Sequence, residues 1–403
     1  MSNLDQASIH SSGLASMAVE RVAVRQLKLS NFRSYGSLSA RFDPRHVVLT
    51  GANGAGKTNL LEALSFLSPG RGVRRATHDQ VARAPSKGGD GTFALHVELD
   101  GIGGPVSIGT GIEAGANGPE SGRRLRINGA SAGASERLLD HLRAIWLTPA
   151  MDGLFTGPSS DRRRFLDRLV LALDPLHARR VSDFDKAMRA RNRLLEEMRP
   201  DPAWMTSVER QMAELGAAIV AGRLEFTAAL AGMVSAATDK HNAPFPVADL
   251  ALAGTLEALA GQMPSGALED AYRTILAENR PKDRAAGRTL EGPHRSDLVV
   301  NHKTKAMPAA LCSTGEQKAL LIGITLAHAR LVAQSTGAAP LLLLDEIAAH
   351  LDPERRRALF SLIDALGGQA WLTGTDEALF EAMGDRAQHF EVRDDQLIQR
   401  GTT

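Results

Sequence analysis

The sequence predicts an α/β fold: a β-containing unit cut open along the chain, with an antiparallel β subdomain and an inserted helical lobe. Three observations carry that prediction. A strand–turn–helix passage stands at residues 46–67, and an α/β rhythm returns only from about residue 316. Between them, from about 160 to 242, apolar residues recur at helical spacing. The bulk composition permits such a body: 403 residues, 43% hydrophobic and 23% charged, can bury the core of two or three lobes. With aromatics at 4%, aliphatic side chains do most of the packing.

Residues 1–20 lack a clear period and are expected to form a flexible N-terminal arm. Residues 21–158 make the first half of the split unit. There, 22–29 alternate as a strand, 37–42 as its hairpin partner, 46–50 form a short buried strand and 59–67 a helix. Strands at 92–99, 106–111, 125–128 and 144–147 follow, joined by glycine-rich turns. The inserted helical lobe is assigned to 159–285. Phe165, Leu169, Val170 and Leu173 mark one helical face, and Phe184, Met188, Leu195 and Met198 a second. After a proline-containing break at 199–202, Val208, Met212, Leu215 and Ile219 mark a third. Residues 286–403 complete the split unit, with a helix at 316–333, a buried strand at 340–344, a helix at 353–366 and a strand at 369–372.

A single cysteine, Cys312, excludes an intrachain disulfide and an all-cysteine metal cluster, and fits a reducing cytoplasm. The first twenty residues hold no Lys or Arg and no continuous apolar block, so no secretory leader is expected. The apolar run at 338–344 is far short of the ~20 residues a membrane span needs. A soluble, cytoplasmic protein with no membrane partner is expected. The net charge of +1 gives no global sign of a polyanion partner.

Gly51-Ala52-Asn53-Gly54-Ala55-Gly56-Lys57-Thr58 matches G-x-x-x-x-G-K-[ST], the loop that cradles a nucleotide triphosphate. Its glycines let backbone N–H groups curl around phosphates, and the helix beginning at Lys57 and Asn59 adds a positive N-terminus. Lys57 can reach the outer phosphates, while Thr58 offers a hydroxyl to Mg²⁺. Leu341-Leu-Leu-Leu-Asp345-Glu346 reads as the complementary buried strand, ending in two carboxylates at the sheet edge where ligands sit. Asp345 is the expected metal ligand, and Glu346 the group that orients or deprotonates the attacking water. ATP and Mg²⁺ are the expected cofactors.

Upstream of that strand stands Leu311-Cys-Ser313-Thr-Gly315-Glu316-Gln317-Lys318, a second anion-binding helix start. It resembles the signature motif of ABC-type ATPases, and Leu351-Asp352 resembles their D-loop. The resemblance implies that Ser313, Gly315, Glu316 and Gln317 act in trans, closing over ATP held by the phosphate loop of a second copy. ATP would then drive a head-to-tail homodimer, and hydrolysis would reopen it. The motif departs from the family's Ser-Gly-Gly-Gln. No glutamine marks a Q-loop around Trp146-Leu-Thr-Pro149, and Trp371-Leu-Thr-Gly-Thr375-Asp376 holds the switch position without a histidine. By the same resemblance Arg33 is assigned to the base or phosphates of ATP, with a structural arginine of the hairpin as the alternative.

Lys57 and Ser313 stand 256 residues apart, wider than in transporter ATPase subunits and without the long coiled coils of structural-maintenance ATPases. Across most of residues 22–400 the chain resembles the RecF family, the recombination-mediator ATPases of bacteria. The residues that carry this are Leu29-Ser-Asn31-Phe32-Arg33-Ser-Tyr35, the phosphate loop, Gly157-Pro-Ser-Ser-Asp-Arg162-Arg163-Arg164-Phe165-Leu166-Asp167, Arg191-Asn192-Arg-Leu-Leu195 and Gly292-Pro293-His294-Arg295-Ser-Asp297. The resemblance implies an ABC-type ATPase head with slow, DNA-stimulated hydrolysis as a timing switch. It further implies binding to duplex DNA near single-strand/double-strand junctions, and partnership with RecR and RecO in loading a recombinase.

The net charge hides local excess. Residues 162–199 hold eleven Lys and Arg against six Asp and Glu. Arg71, Arg74 and Arg75, then Arg123, Arg124 and Arg126, form two further clusters, and Arg189 and Arg191 lie within the helical one. These eight are the candidate DNA contacts, suited to salt-sensitive, sequence-neutral phosphate binding. Solvated faces and intrahelical ion pairs are the alternative for each. Two other functions are open: a transporter-coupled ATPase, and a structural DNA clamp that binds nucleotide without hydrolysing it. A nuclease of the overcoming-lysogenization type would need an acidic domain after residue 376.

Overall fold

The computed structural model describes residues 19–115, 118–119, 122–199, 201–236 and 245–401. Most of the expected arm, residues 1–18, lies outside the described residues. Its last residue does not: Glu20–Arg21 pairs in parallel with Ala338–Ala339.

Two six-stranded sheets make the β body. In the first, the strands run Ala144–Leu147, Leu341–Leu344, Ala370–Thr373, His46–Thr50, Ala387–Arg393 and Gln396–Arg400, parallel except for the last. Every residue of Leu341–Leu344 and of His46–Thr50 is buried, as parallel strands covered on both faces require. Register does the positioning. Leu147 pairs with Leu344, Leu344 with Leu372, and Thr373 with Leu49. Thr148, Asp345, Thr373 and the start of the phosphate loop therefore emerge together at one sheet edge.

The second sheet is antiparallel and runs Ala130–Ser131, Arg124–Ile127, Gly104–Ile112, Phe93–Gly101, Ala23–Phe32 and Tyr35–Arg41. Phe93–Gly101 buries every second residue, so one face of the sheet packs inward. That face and the helix Lys57–Ser65 share a core with Phe32, Leu64, Phe66 and Trp371.

Ser159–Leu171 packs in the largest core through Phe165, Leu166 and Leu169, whereas His177–Glu196, Pro202–Ala236, Thr255–Ala260, Ser265–Glu278 and Arg280–Ala286 gather into a helical body. Its own core gathers Phe184, Leu194, Met212, Val220 and Tyr272. The stretch assigned to that lobe is not wholly helical. Ala248–Ala253 is a strand, antiparallel to Asp297–His302, so the lobe and the C-terminal half share a small sheet. Its alternation covers only six residues beside a proline-rich turn, too short a signal to stand out.

Two helices, Pro202–Ala236 and Thr314–Thr336, are long and apolar enough by composition to cross a membrane. Thr314–Thr336 runs through the largest core, burying Leu320, Ile324 and Val332 among others. Pro202–Ala236 packs against it and against His177–Glu196 and Ser265–Glu278. The apolar window of Thr314–Thr336 is 72% buried, that of Pro202–Ala236 39%.

Candidate active site

The phosphate loop follows the His46–Thr50 strand directly. Gly51 has φ of 141°, and a Cβ there would come within 2.5 Å of the Val392 carbonyl oxygen. Gly56, with φ of 108°, leaves only enough room for the Tyr35 hydroxyl, which donates to the Gly56 carbonyl oxygen at 3.2 Å. Only glycine fits either place. Lys57 Nζ donates to the Gly51 and Ala52 carbonyl oxygens at 2.7 and 2.9 Å. Burial pulls its pKa below the usual lysine value, while Glu346 and Asp345 pull the other way. Gly51 and Ala55 are partly exposed, and Ala52, Asn53 and Gly54 are exposed. Asn59 is tied to Ser34 Oγ at 3.1 Å and accepts from Arg74 at 2.7 Å.

The two residues expected to hold metal meet here. Thr58 Oγ1 donates to Asp345 at 3.0 and 3.1 Å, across 287 residues of chain. Asp345 is buried and also accepts from Thr373 Oγ1 at 2.7 Å. The Glu346 amide donates to the same Thr373 hydroxyl at 2.9 Å, with Glu346 held at φ of +54°. A carboxylate at left-handed φ is uncommon and is fixed by its surroundings. A hydroxyl and a carboxylate this close, beside a phosphate loop, match the sparse oxygen set by which Mg²⁺ is held when phosphates supply the rest. Thr373 is a residue the sequence reading missed. Its signal was the polar residue ending the buried run Trp371-Leu-Thr, next to the switch position.

A cavity of about 630 Å³ opens beside these groups, lined by Thr58, Arg74, Thr148, Asp345 and Glu346 among others. It contains none of the signature residues. Ser313 and Gly315 are exposed at the start of the Thr314–Thr336 helix, with Ser313 as its N-cap. Glu316 closes a capping box with Ser313 and pairs with Lys305. Gln317 is a correction. Expected to face a second copy, it is buried and donates to the Cys312 carbonyl oxygen at 2.9 Å, bracing the signature turn from behind. Asp352 caps the next helix, its carboxylate accepting from the Arg355 amide at 2.8 Å.

Arg33, assigned to ATP or to the hairpin itself, forks its guanidinium onto buried Glu62 at 2.6 and 2.8 Å. Arg74 joins it on Glu62 at 2.6 Å. Glu62 carried no motif, and only an acid inside an apolar helix face could have flagged it.

The basic clusters divide. Arg191 has no exposure: it is enclosed by Glu209 at 3.0 Å, Asp283 at 2.6 Å, Thr289 Oγ1 at 2.9 Å and the Leu276 carbonyl at 2.7 Å. Arg123 stacks on Phe66 and bonds Thr110 Oγ1 and the Gly70 and Phe66 carbonyls, and burial pushes it down to about 10. Both are corrected from DNA contacts to internal braces. Arg124 and Arg126 flank Glu113 at 3.4 and 3.5 Å. Arg71, Arg75 and Arg189 are exposed.

The segments peculiar to the RecF resemblance converge on one joint. Arg162 forks onto Asp297 at 2.8 Å, Arg163 donates to the Ser296 carbonyl at 2.7 Å, and Arg223 holds Asp167 at 2.8 Å and the Pro293 carbonyl at 2.6 Å. Asn192 Oδ1 accepts from Thr289 at 2.9 Å. The Gly292–Asp297 segment thus ties helices Ser159–Leu171 and Pro202–Ala236 to the start of the Asp297–His302 strand.

The RecF/RecN/SMC N terminal domain family matches residues 23–398. The DNA replication and repair protein RecF of Rhizobium etli is 58% identical over 382 residues, 94% of this chain and 99% of that protein. That of Brucella suis is 57% identical over 379 residues, 94% of this chain and 96% of its own. The chain belongs to the RecF family. It is therefore a member of the ABC-type ATPases. The fold agrees: a solved RecF–ATP structure from the RecFOR pathway superposes with a TM-score of 0.82 at 20% identity, over 96% of this chain and all of that one. The Smc head domain of Pyrococcus furiosus aligns at 0.52 with 15% identity, over 94% of this chain and 96% of its own.

Proposed function

We propose that the protein is an ATP-dependent DNA-binding ATPase of recombinational repair and replication restart, working in the cytoplasm. It dimerises head to tail on ATP, clamps duplex DNA near single-strand/double-strand junctions, and lets go on hydrolysis. The observation that carries this reading is the contact of Thr58 with Asp345 at a phosphate loop whose cavity holds no signature residue. One copy has everything needed to bind ATP and Mg²⁺, while its exposed Ser313 and Gly315 suit the phosphates bound by another copy. In this reading residues 21–158 and 286–403 make the head and 159–285 an inserted helical lobe, and DNA lies in the groove of the dimer. RecR, with RecO, is the partner that the RecF relationship supports.

In the mechanism, Lys57 turns from the loop carbonyls to the outer phosphates, for which a cation is the better partner. Thr58 and Asp345 would hold Mg²⁺, which neutralises charge building on the phosphates. Glu346, fixed by Thr373, orients a water and takes its proton as the water oxygen bonds the γ-phosphorus. The bridging bond to ADP breaks, and inorganic phosphate forms. Turnover is slow in this reading, and DNA binding speeds it by holding two copies closed.

The test is native mass measurement with and without ATP and duplex DNA. Wild type should dimerise with both present, and Lys57→Met should stay monomeric. Glu346→Gln should trap the ATP dimer and lower turnover by about 10²- to 10⁴-fold. No ATP-dependent dimer in wild type would overturn the reading.

A further inference from the structure

A second cavity, about 660 Å³, opens between the 69–75 segment and helix His177–Glu196. Arg75 and Arg168 line both this cavity and the one at Glu346. The Arg168 guanidinium lies over two rings, its Cζ 4.6 Å from the Trp146 centroid and 5.6 Å from that of Phe165. Its polar partner among the described residues is Met151 Sδ at 3.8 Å, a weak acceptor. The nearby Asp161 is paired with Arg164. Trp146 lines the same cavity, and its Nε1–H is buried with no acceptor. Arg75 holds φ of +53°, a backbone state that a non-glycine residue keeps only under constraint. Burial, then the charge of Arg75, pushes Arg168 down to about 9, as befits a cation without an anion.

A guanidinium packed against aromatic rings still presents edge N–H donors, which suit two oxygens of one oxyanion. The first cavity begins where Glu346 and Thr58 face the outer phosphate. Once a second copy closes over the loop, phosphate produced there needs another path. We propose that Arg168 and Arg75 form a second phosphate site, outside the phosphate loop, which takes inorganic phosphate from the hydrolysis site and passes it to the second cavity. The transit role rests on the hydrolysis reading above, whereas the site itself does not.

The two can be tested apart. Inorganic phosphate is titrated by ³¹P NMR into full-length, nucleotide-free Lys57→Met, which silences the loop lysine. Adding Arg168→Gln or Arg75→Gln should weaken phosphate binding at least tenfold, and Arg168→Lys should restore part of it. Arg75 is exposed, so its variant reports even if Arg168→Gln misfolds. Equal phosphate affinity with and without these substitutions overturns the site. So does a short oligonucleotide binding in an Arg168-dependent way where inorganic phosphate does not. In the otherwise wild-type chain, a phosphate-sensor assay should show release lagging cleavage at least tenfold in Arg168→Gln. Release keeping pace with cleavage overturns the transit role. If wild type binds phosphate but cleaves no ATP, the hydrolysis reading fails while the site stands.

Discussion

Lys318 Nζ lies 2.9 Å from Asp152 Oδ2, joining the signature helix to the turn that follows the Ala144–Leu147 strand. Both residues share a small pocket with Thr148, Asp345 and Glu346. A second copy docking on Ser313 and Gly315 would move the Lys318 end of this link, and the acids sit at the other. The pair is part exposed, 20% and 39% at the side chains, so it is worth only about 0–1 kcal/mol to stability. Asp152→Asn should therefore leave folding and nucleotide affinity nearly unchanged while lowering DNA-stimulated turnover at least threefold. Combined with Lys318→Met it should cost no more than either alone, as expected of coupled residues. Additive losses in a double-mutant cycle would break the proposed link.

Thr373 serves both acids through one hydroxyl, donating to Asp345 and accepting from the Glu346 amide. Thr373→Val keeps the shape and removes both bonds. The buried carboxylate then loses a charge-assisted donor, a cost of about 2–3 kcal/mol. Turnover should fall at least tenfold with nucleotide affinity within a factor of three, since Lys57 and the loop are untouched. Chemical denaturation and single-turnover assays measure the two effects separately.

Sequence spacing exposes whatever depends on local backbone chemistry. The phosphate loop is legible because only glycine suits Gly51 and Gly56, and the acidic strand because four consecutive leucines must be buried on both faces. The contact of Thr58 with Asp345 followed from pairing the two motifs. What spacing could not reveal is the direction of a long side chain. Arg123 and Arg191 sit in basic runs that read as surface, yet each turns inward, to carbonyls or to Glu209 and Asp283. Those acceptors lie 18 to 92 residues away in the chain for Arg191, beyond any helical period. Gln317 was misread for the same reason: its partner is the turn behind it, not a nucleotide in front.

Arg189 and Arg191, two residues apart on one helix, should behave oppositely. Arg191→Met leaves Glu209 and Asp283 with a buried charge imbalance, a loss of about 3–5 kcal/mol. Arg189 is exposed, and Arg189→Ala should change stability by no more than about 0.5 kcal/mol. If Arg189 touches a DNA phosphate, its loss should weaken duplex binding uniformly across sequences and reduce the salt slope by about 1. Urea unfolding and fluorescence anisotropy across a salt series decide both. A strong stability loss from Arg189→Ala would contradict its exposed position.

Glu316 gives a pH test of the signature helix. The hydrogen bond from Lys305, then those of Ser313, hold its carboxyl down to about 2. A folded-state value below the unfolded one means that the contact stabilises above the ordinary glutamate range, near pH 4.3. That contribution is lost as pH falls toward about 2. The capping box should then be intact throughout pH 5–8, so any pH dependence of turnover in that window must arise elsewhere. Carboxyl ¹³C titration should place wild-type Glu316 well below its neighbours, and Lys305→Met should move it back up toward the ordinary value. A wild-type Glu316 titrating near 4.3 would mean that neither contact holds in solution. The N-cap of the Thr314–Thr336 helix would then be looser than Ser313 alone implies.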